Sequence, residues 1–558
     1  MNRSPSLPDS TAGERAGALY LGLDVSTQSL SGVVLRIEDR ERRVVYRRSL
    51  IFDEEFPRYH TRNGVLPHDD PRIATSSPLL WSEALDRFFE IMAAESDLDL
   101  ARLRAVSGAA QQHGSVYCNR EATARLAALD PTRPLAHQIR AMLSRADAPT
   151  WMDSSTATEC AAISDAIGGP EALIRLTGSR ACERFTGPQI RKYARVEPDG
   201  YASTDRIHLV SSFLASVLVG AHAPIEPGDG AGMNLMDIVN RQWAETALRA
   251  TAPGLRAKLP DLAPSWSVMG RLAPYWTERH GLPAANVIAW TGDNPSSLIG
   301  TGLVASDRIA ISLGTSDTVF GLMRDARVDL SGASHVFGAP TGDYMALVCF
   351  KNGALARERV RDAYDMDWRE FSRALRETPP GNRGAIMLPW FEPEITPPVA
   401  SAGVRRYGLD PADAPANVRA LIEAQMLGTA RHAGWMGERV RGIHATGGGA
   451  RNREILQIMA DVHDADVYRL EVSDSAALGA ALRAFHGDEL ARGTAIEWTD
   501  VVAGFADPVV DSVVRPDPGN VAIYARLRAV HAACEAHALG RGEDPMPLIG
   551  QFGGERTP

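Results

Sequence analysis

Apolar and polar positions change their period along the chain, and each change marks an element. Ala18 to Leu23 is a near-continuous apolar run that ends in Asp24 and a polar turn, Ser26-Thr27-Gln28-Ser29. Gly32 to Ile37 and Arg43 to Leu50 follow at hairpin spacing, so this segment predicts an antiparallel meander. The pattern returns in the second half: a strand over Arg308 to Leu313, a turn Gly314-Thr315-Ser316-Asp317-Thr318, then strands over Val319 to Met323 and Tyr344 to Phe350. Two copies of strand, Ser/Thr-rich turn and strand suggest an internal duplication.

Strand-then-helix alternations lie between the meanders. Arg104 to Ala110 predicts a strand ending in Gln111-Gln112-His113-Gly114, and Val287 to Trp290 another that runs into Thr291-Gly292-Asp293-Asn294-Pro295. Asp205 to Val219 reads as a helix, with Ile207, Val210, Leu214, Val217 and Leu218 apolar and Gly220 as its stop. A third turn, Thr446-Gly447-Gly448-Gly449-Ala450-Arg451-Asn452, precedes a helix with Ile455, Ile458, Met459 and Val462 on one face. The small residues of Ser475 to Phe485 read as a closely packed helix and nothing more. Mixed sheets flanked by helices, twice over, make an α/β protein. The expected division is a disordered leader over 1–17, a first domain over 18–286, a second over 287–545 and a tail over 546–558.

Composition narrows the function. A chain of 558 residues is too long for one hydrophobic core. Its net charge of -10 argues against coating nucleic acid or an anionic membrane, though it leaves room for a small polyanion bound locally. The five cysteines are scattered without metal-ligand spacing, the first residues are polar, and no apolar run is long enough to span a bilayer, so a cytoplasmic protein is expected. Only Lys192, Lys258 and Lys351 are lysines among the 59 basic residues, which marks them as places where a compact ammonium is wanted.

The turns carry candidate chemistry. Small hydroxyl residues at sharp reversals let a backbone aim several N–H groups at one phosphate. No G-x-x-x-x-G-K-[ST] occurs, which excludes a P-loop, and no G-x-G-x-x-G follows a strand. Asp24, at a strand end, is a candidate for holding Mg²⁺ through water, or else it starts a turn through its own side chain. Asn294-Pro295 looks like an N-cap with Pro at the first helical position, which would fix Asp293 beside a helix start and favour its ionised form as a proton acceptor. The alternative is that Asp293 only caps the helix. His113 and Arg184 could bind a polyol, or be a satisfied structural imidazole and a surface ion pair with Glu183. Trp368 could be core packing against Phe371.

At this point nine blocks in order, among them LGLDVSTQS, QQHG, WMDSST, ERFTGPQIRK, TGDNPSSL, SLGTSDT and ATGGGARNREILQ, resemble the FGGY carbohydrate kinases over about residues 19–540. The resemblance implies two ribonuclease-H-like domains of the actin-like ATPase type, with the sugar deep in the cleft and ATP mainly on the second domain. It implies Asp293 as catalytic base, with His113, Arg184, Asp293 and Asn294 touching a ketose. It also implies Ser26, Thr27, Gln28, Gly314, Thr315 and Ser316 as phosphate loops, Trp368, Gly448, Gly449 and Asn452 on the adenosine side, and Asp24 as the Mg²⁺-organising carboxylate. ATP and a ketose are the expected partners, D-xylulose first among ketoses, for a monomer or homodimer. Rival readings are a kinase for another ketose or polyol such as ribulose or glycerol, and a non-sugar, actin-like ATP-driven binding protein. Two departures stand out: Glu226 where Asp is expected ahead of Asp229, and Ser334 where Gly is expected before His335.

Overall fold

Two sheets of one plan organise the chain. The computed structural model describes residues 17–554 apart from 39, 40, 96, 438, 471–473, 508, 510 and 511, so the leader expected over 1–17 lies, except for Gly17, outside the described residues. The first meander is β1 (Ala18–Val25), β2 (Ser29–Ile37) and β3 (Arg42–Ile51). It is extended by β4 (Leu103–Ala110), parallel to β1, and an antiparallel pair of β5 (Ser115–Asn119) and β6 (Thr204–Leu209), distant in sequence, follows outside the sheet. β7 (Val268–Arg271), β8 (Asn286–Ile288) and β9 (Thr291–Gly292) complete it, in the order β7-β8-β4-β1-β2-β3 with β9 also on β4. The second sheet uses β10 (Arg308–Leu313), β11 (Asp317–Met323), β12 (Ser334–Gly338), β13 (Tyr344–Phe350), β14 (Gly442–Thr446) and β15 (Asp466–Arg469), ordered β12-β13-β11-β10-β14-β15. An antiparallel three-stranded meander joined to two parallel strands therefore occurs twice, β3-β2-β1-β4-β8 and β13-β11-β10-β14-β15.

Three expectations change. Asp205–Leu209 is strand, not helix: Ile207 and Leu209 are buried as β6 pairs antiparallel to β5, and α1 (Val210–Val219) begins only where that partner ends. A helical spacing of apolar residues could not foresee a strand partner some 85 to 94 positions upstream. Second, the division at 286/287 falls inside the first sheet, because β8 and β9 both pair with β4. α2 (Asp293–Gly300) then leads out of it. Third, the segment expected as a tail opens with helix, Met546–Gly554, whose Phe552 and Ile549 close over Gly381 and Gly384.

The helix α3 (Ser475–Ala491) belongs by sequence to the second half but lies on the first sheet. It is seated by small residues: a Cβ on Gly22 would stand 2.1 Å from the Ala477 carbonyl oxygen, and one on Gly479 1.9 Å from that of Ser296 in α2. At its far end Asn286 donates to Asp488 at 3.0 Å and Arg104 pairs with Asp488 at 2.7 Å. The apolar cores divide the same way. Trp81, Phe88, Phe89 and Trp276 pack under the first sheet, whereas residues of the first half such as Phe185, Ile190 and Met233 share one core with the second sheet. Among the described residues no helix is long and apolar enough to cross a membrane.

Candidate active site

Both polar reversals are rigid. In the first, between β1 and β2, the Ser26 N–H and hydroxyl donate to the Ser29 carbonyl at 2.9 and 3.1 Å. Phe52 N–H donates to the Gln28 carbonyl at 2.9 Å and the Trp151 indole to the Thr27 hydroxyl at 2.7 Å. In the second, Gly314, Thr315 and Ser316 join β10 to β11, and Ala354 N–H donates to the Gly314 carbonyl at 2.8 Å. A buried ion pair braces this turn: Arg357 donates to both oxygens of Asp317 at 2.8 and 2.9 Å and to Gln425 at 2.9 Å. Gln425 in turn donates to the Asn352 carbonyl at 2.8 Å. Buried pairs of this kind hold geometry because removing one partner strands the other charge.

Beside this turn lies a cavity of about 760 Å³ lined by Gly314, Thr315, Trp368, Gly448, Gly449 and Asn452, large enough for a nucleotide-sized ligand. Its floor is bare backbone: a Cβ on Gly448 would meet open space, and Gly447, at φ 82°, comes so near that a Cβ there would stand 2.7 Å from the Leu313 carbonyl. Asn452 caps the helix Arg453–His463 by accepting from Glu454 N–H at 3.0 Å, and donates to Ser372 at 2.9 Å. Trp368 is not core: it is 44% exposed at the start of its helix, edge-on to Phe371 and covered on one face by the Arg361 guanidinium. Replacing Trp368 by Ala is expected to weaken ADP binding about tenfold by loss of a stacking surface, with the sugar KM unchanged; calorimetric titration with ADP checks it.

Of the residues expected at the sugar, His113, Asp293 and Asn294 lie just beyond adjoining strand ends. Asp293 opens α2 with Gly292 as N-cap, so Asn294 is the second helical residue and not the cap that the sequence suggested. The Asp293 carboxylate accepts from the Asn294 N–H at 2.8 Å and its side-chain amide at 3.0 Å, and that amide also donates to Gln112 at 2.9 Å. Although a helix start and these donors favour the anion, burial outweighs them and pushes the Asp293 carboxyl up to about 6. The helix start thus favours the ionised form as expected, but burial, which the sequence does not show, shifts the balance toward the acid while leaving the carboxylate the main form at neutral pH. Asp24, at the end of β1, has one buried carboxylate oxygen without a partner. Burial first, then the negative charges of Asp293 and Asp474, hold it well above the usual carboxylate range. A partnerless carboxylate oxygen beside the second buried acid, Asp293, fits a hydrated divalent cation.

His113 sits in the left-handed region at φ 71°, donates through Nδ1 to the Gly232 carbonyl at 2.9 Å, and lies 4.4 Å from the Phe185 ring. Burial and then the Arg184 charge hold it well below the usual imidazole range, so it is neutral, with Nε2 an acceptor. Arg184 forms no ion pair with Glu183 among the described residues; it reaches His335 Nε2 at 3.4 Å, on a strand of the second half. Lys192 donates to the Ser155 hydroxyl at 2.6 Å, and Lys258 to the Thr204 carbonyl. Sequence reasoning missed Gln112, His335 and Phe337. Gln112 stood inside a quoted block; His335 and Phe337, 6.0 Å apart by ring centre, needed the second half folded against the first.

Duplicated sheets with paired polar reversals, a backbone-floored, nucleotide-sized cavity and a buried acid ringed by polar side chains are the features of a nucleotide-dependent phosphotransferase of the two-domain, actin-like class. The model of the N-terminal domain of the FGGY family of carbohydrate kinases matches residues 141–300, and that of the C-terminal domain residues 309–487. The chain is 42% identical over 546 residues to the xylulose kinase of Rattus norvegicus, covering 96% of this chain and 99% of the relative. It is 41% identical over 493 residues to xylulose kinase 2 of Arabidopsis thaliana, covering 84% and 87%. The crystal structure of a xylulose kinase from Rhodospirillum rubrum has the same fold, with a TM-score of 0.75 at 19% identity over 93% of this chain and 99% of that one. The protein belongs to the FGGY family and is a sugar kinase.

Proposed function

We propose that this protein transfers the terminal phosphoryl group of ATP to D-xylulose, giving D-xylulose 5-phosphate and ADP in the cytoplasm. The observation that supports the reading is the joining of the buried Asp293 and Asn294 to Gln112, with His113 next to it in the chain and within reach of the Arg184 charge, in a protein that also holds a nucleotide-sized cavity beside the Gly314 turn. The names borne by relatives 41–42% identical favour a ketopentose as the sugar.

His113 Nε2 and the Arg184 guanidinium bind the sugar hydroxyls and orient the chain of the ketose. Asp293 accepts the proton of the attacking hydroxyl as the phosphoryl group crosses; the loose transition state asks for an aligned nucleophile more than a strong base. Gly314, Thr315 and Ser316 supply N–H and hydroxyl donors to the phosphates together with Thr27 and Gln28 of the first reversal, which Ser26 braces. Gly448, Gly449, Asn452 and Trp368 hold the adenosine. Asp24 would hold Mg²⁺ through water, and the ion would neutralise charge on the phosphates. Closing the cleft excludes water, which would otherwise take the phosphoryl group.

A coupled assay of ADP release across D-xylulose, D-ribulose, glycerol and no sugar tests the reading. D-xylulose should give the highest kcat/KM; a higher value for another acceptor moves the substrate, and sugar-independent ATPase with no phosphosugar would favour the non-sugar binding protein. The acid limb supplies a second expectation. Because burial raises Asp293 to about 6, the base is ionised above that value and protonated below it, so kcat/KM for the sugar should fall about tenfold per pH unit below about pH 6. An acid limb centred near pH 4 would contradict the buried base.

A further inference from the structure

Among the irregularities of the first sheet, one lies beside the candidate site, and a side chain from the second half of the chain fills it. On β4, Val106 is opposite Val287 of β8, and Ala109 is opposite Thr291 of β9. Residues 288–290 therefore face only residues 107 and 108, an extra residue of the kind that bends a strand and interrupts its ladder. The bulge holds Trp290, whose buried ring lies over Gly108 so closely that a Cβ there would stand 2.2 Å from it. A buried carbonyl left out of a ladder needs another donor.

Arg483 is that donor. It projects from α3, is 1% exposed, and donates to the Ala289 carbonyl at 2.7 Å and to the Gly108 carbonyl at 2.5 Å. A third contact, to the Ser265 hydroxyl, is 3.4 Å long, and the Ser107 hydroxyl adds a second donor to Ala289 at 2.9 Å. The guanidinium thus spans both edges of the bulge. Burial draws Arg483 down to about 10, with the nearby Glu226 and Asp229 acting in the opposite sense, which leaves it protonated at neutral pH. A helix read from its small residues as close packing alone carries a polar clasp.

The two strands it joins are those that carry the sugar-side residues. β4 runs directly into Gln111, Gln112 and His113, and β9 into Asp293 and Asn294, which meet again where Asn294 donates to Gln112. Gly292 packs so tightly on Gln112 that a Cβ would stand 2.4 Å from its side chain, so a slip between the strands would disturb the site at once. We propose that Arg483 is a positioning residue for the transfer reaction, holding the bulged strand against β4 so that Asp293 and Asn294 stay in register with Gln112 and His113. The proposal rests on the kinase reading above. Arg483 does not line the nucleotide-sized cavity.

The test is Arg483→Met, which keeps the volume and loses every donor, beside Arg483→Lys, which keeps the charge and can reach one carbonyl. Both are assayed well below their melting temperatures, on the acceptor that the wild-type enzyme turns over best, so that a wrong sugar assignment would show in the wild type and not in this comparison. Arg483→Met should lower kcat/KM for the sugar about a hundredfold, as misplacement of reacting groups by about 1 Å does. ADP affinity, set on the other side of the cleft, should stay within about twofold, and Arg483→Lys should fall between the two. Arg483→Met kinetics within about twofold of wild type would overturn the proposal. So would parallel loss of sugar turnover and ADP binding in both variants, which would mark a general structural role.

Discussion

Asp293→Asn is expected to lower kcat about a thousandfold while ADP binds within about twofold of wild type. The amide has the size of the carboxylate but cannot take the proton of the sugar hydroxyl. Near-isostery matters, because the site around it is crowded: Asn294 contributes two donors to the carboxylate and Gln112 a backbone N–H. Stability gives an independent check on the same residue. Since the folded carboxyl is raised above its ordinary value, the native protein holds more protons than the unfolded chain between about pH 4 and pH 6. Stability from this group therefore falls as pH rises through that window and stays lowered above it. Asn carries no such penalty, so the variant should melt no lower than wild type at pH 8 and lose its advantage at pH 4. Full turnover with D-xylulose in Asp293→Asn would remove the base from the mechanism, and a lower melting temperature at pH 8 would show that the acid is not held against its preference.

Gly479→Val should be the most damaging single change outside the site. A Cβ there would stand 1.9 Å from the Ser296 carbonyl oxygen, and on the facing helix a Cβ on Gly300 would stand 1.9 Å from that of Ser475. Both obstacles are backbone, so no side chain can swing away; α2 and α3 would have to separate. Overpacking of this severity costs about 3 kcal/mol or more, enough to lower the melting temperature by about 5 °C or to leave the chain insoluble. Gly434→Ala is the control: nothing lies within 4 Å of its Cβ and its φ is -62°, so it should melt within about 1 °C of wild type. Equal melting temperatures for the two variants would show that the helices have room the geometry denies them.

The elements around the chemistry were the most legible. Arg308–Leu313 and Tyr344–Phe350 lie where the apolar runs put them, and the helix after Asn452 begins one residue on. Such runs are bounded by turn residues whose preferences are local, so neighbours in sequence suffice to place them. Asp205–Leu209 failed because the same residues satisfy two periods and the decision belonged to a strand that the sequence does not place beside them. The N-cap failed by two residues because Gly292, packed on Gln112, starts the helix earlier than Asn294 would.

By itself the sequence determined the duplicated meanders, the two polar reversals, the glycine-rich floor and the identity of the acid that follows the strand near residue 290, because each depends on residue type at short range. Only the tertiary structure decided that α3 lies on the first sheet, that His335 of the second half meets Arg184 of the first, and that Arg483 closes the bulge beside Asp293. It also decided how far burial would raise that acid. These are matters of which surfaces meet and what they exclude from water, and a carboxylate or guanidinium acquires its properties from neighbours hundreds of residues away as much as from its own chemistry.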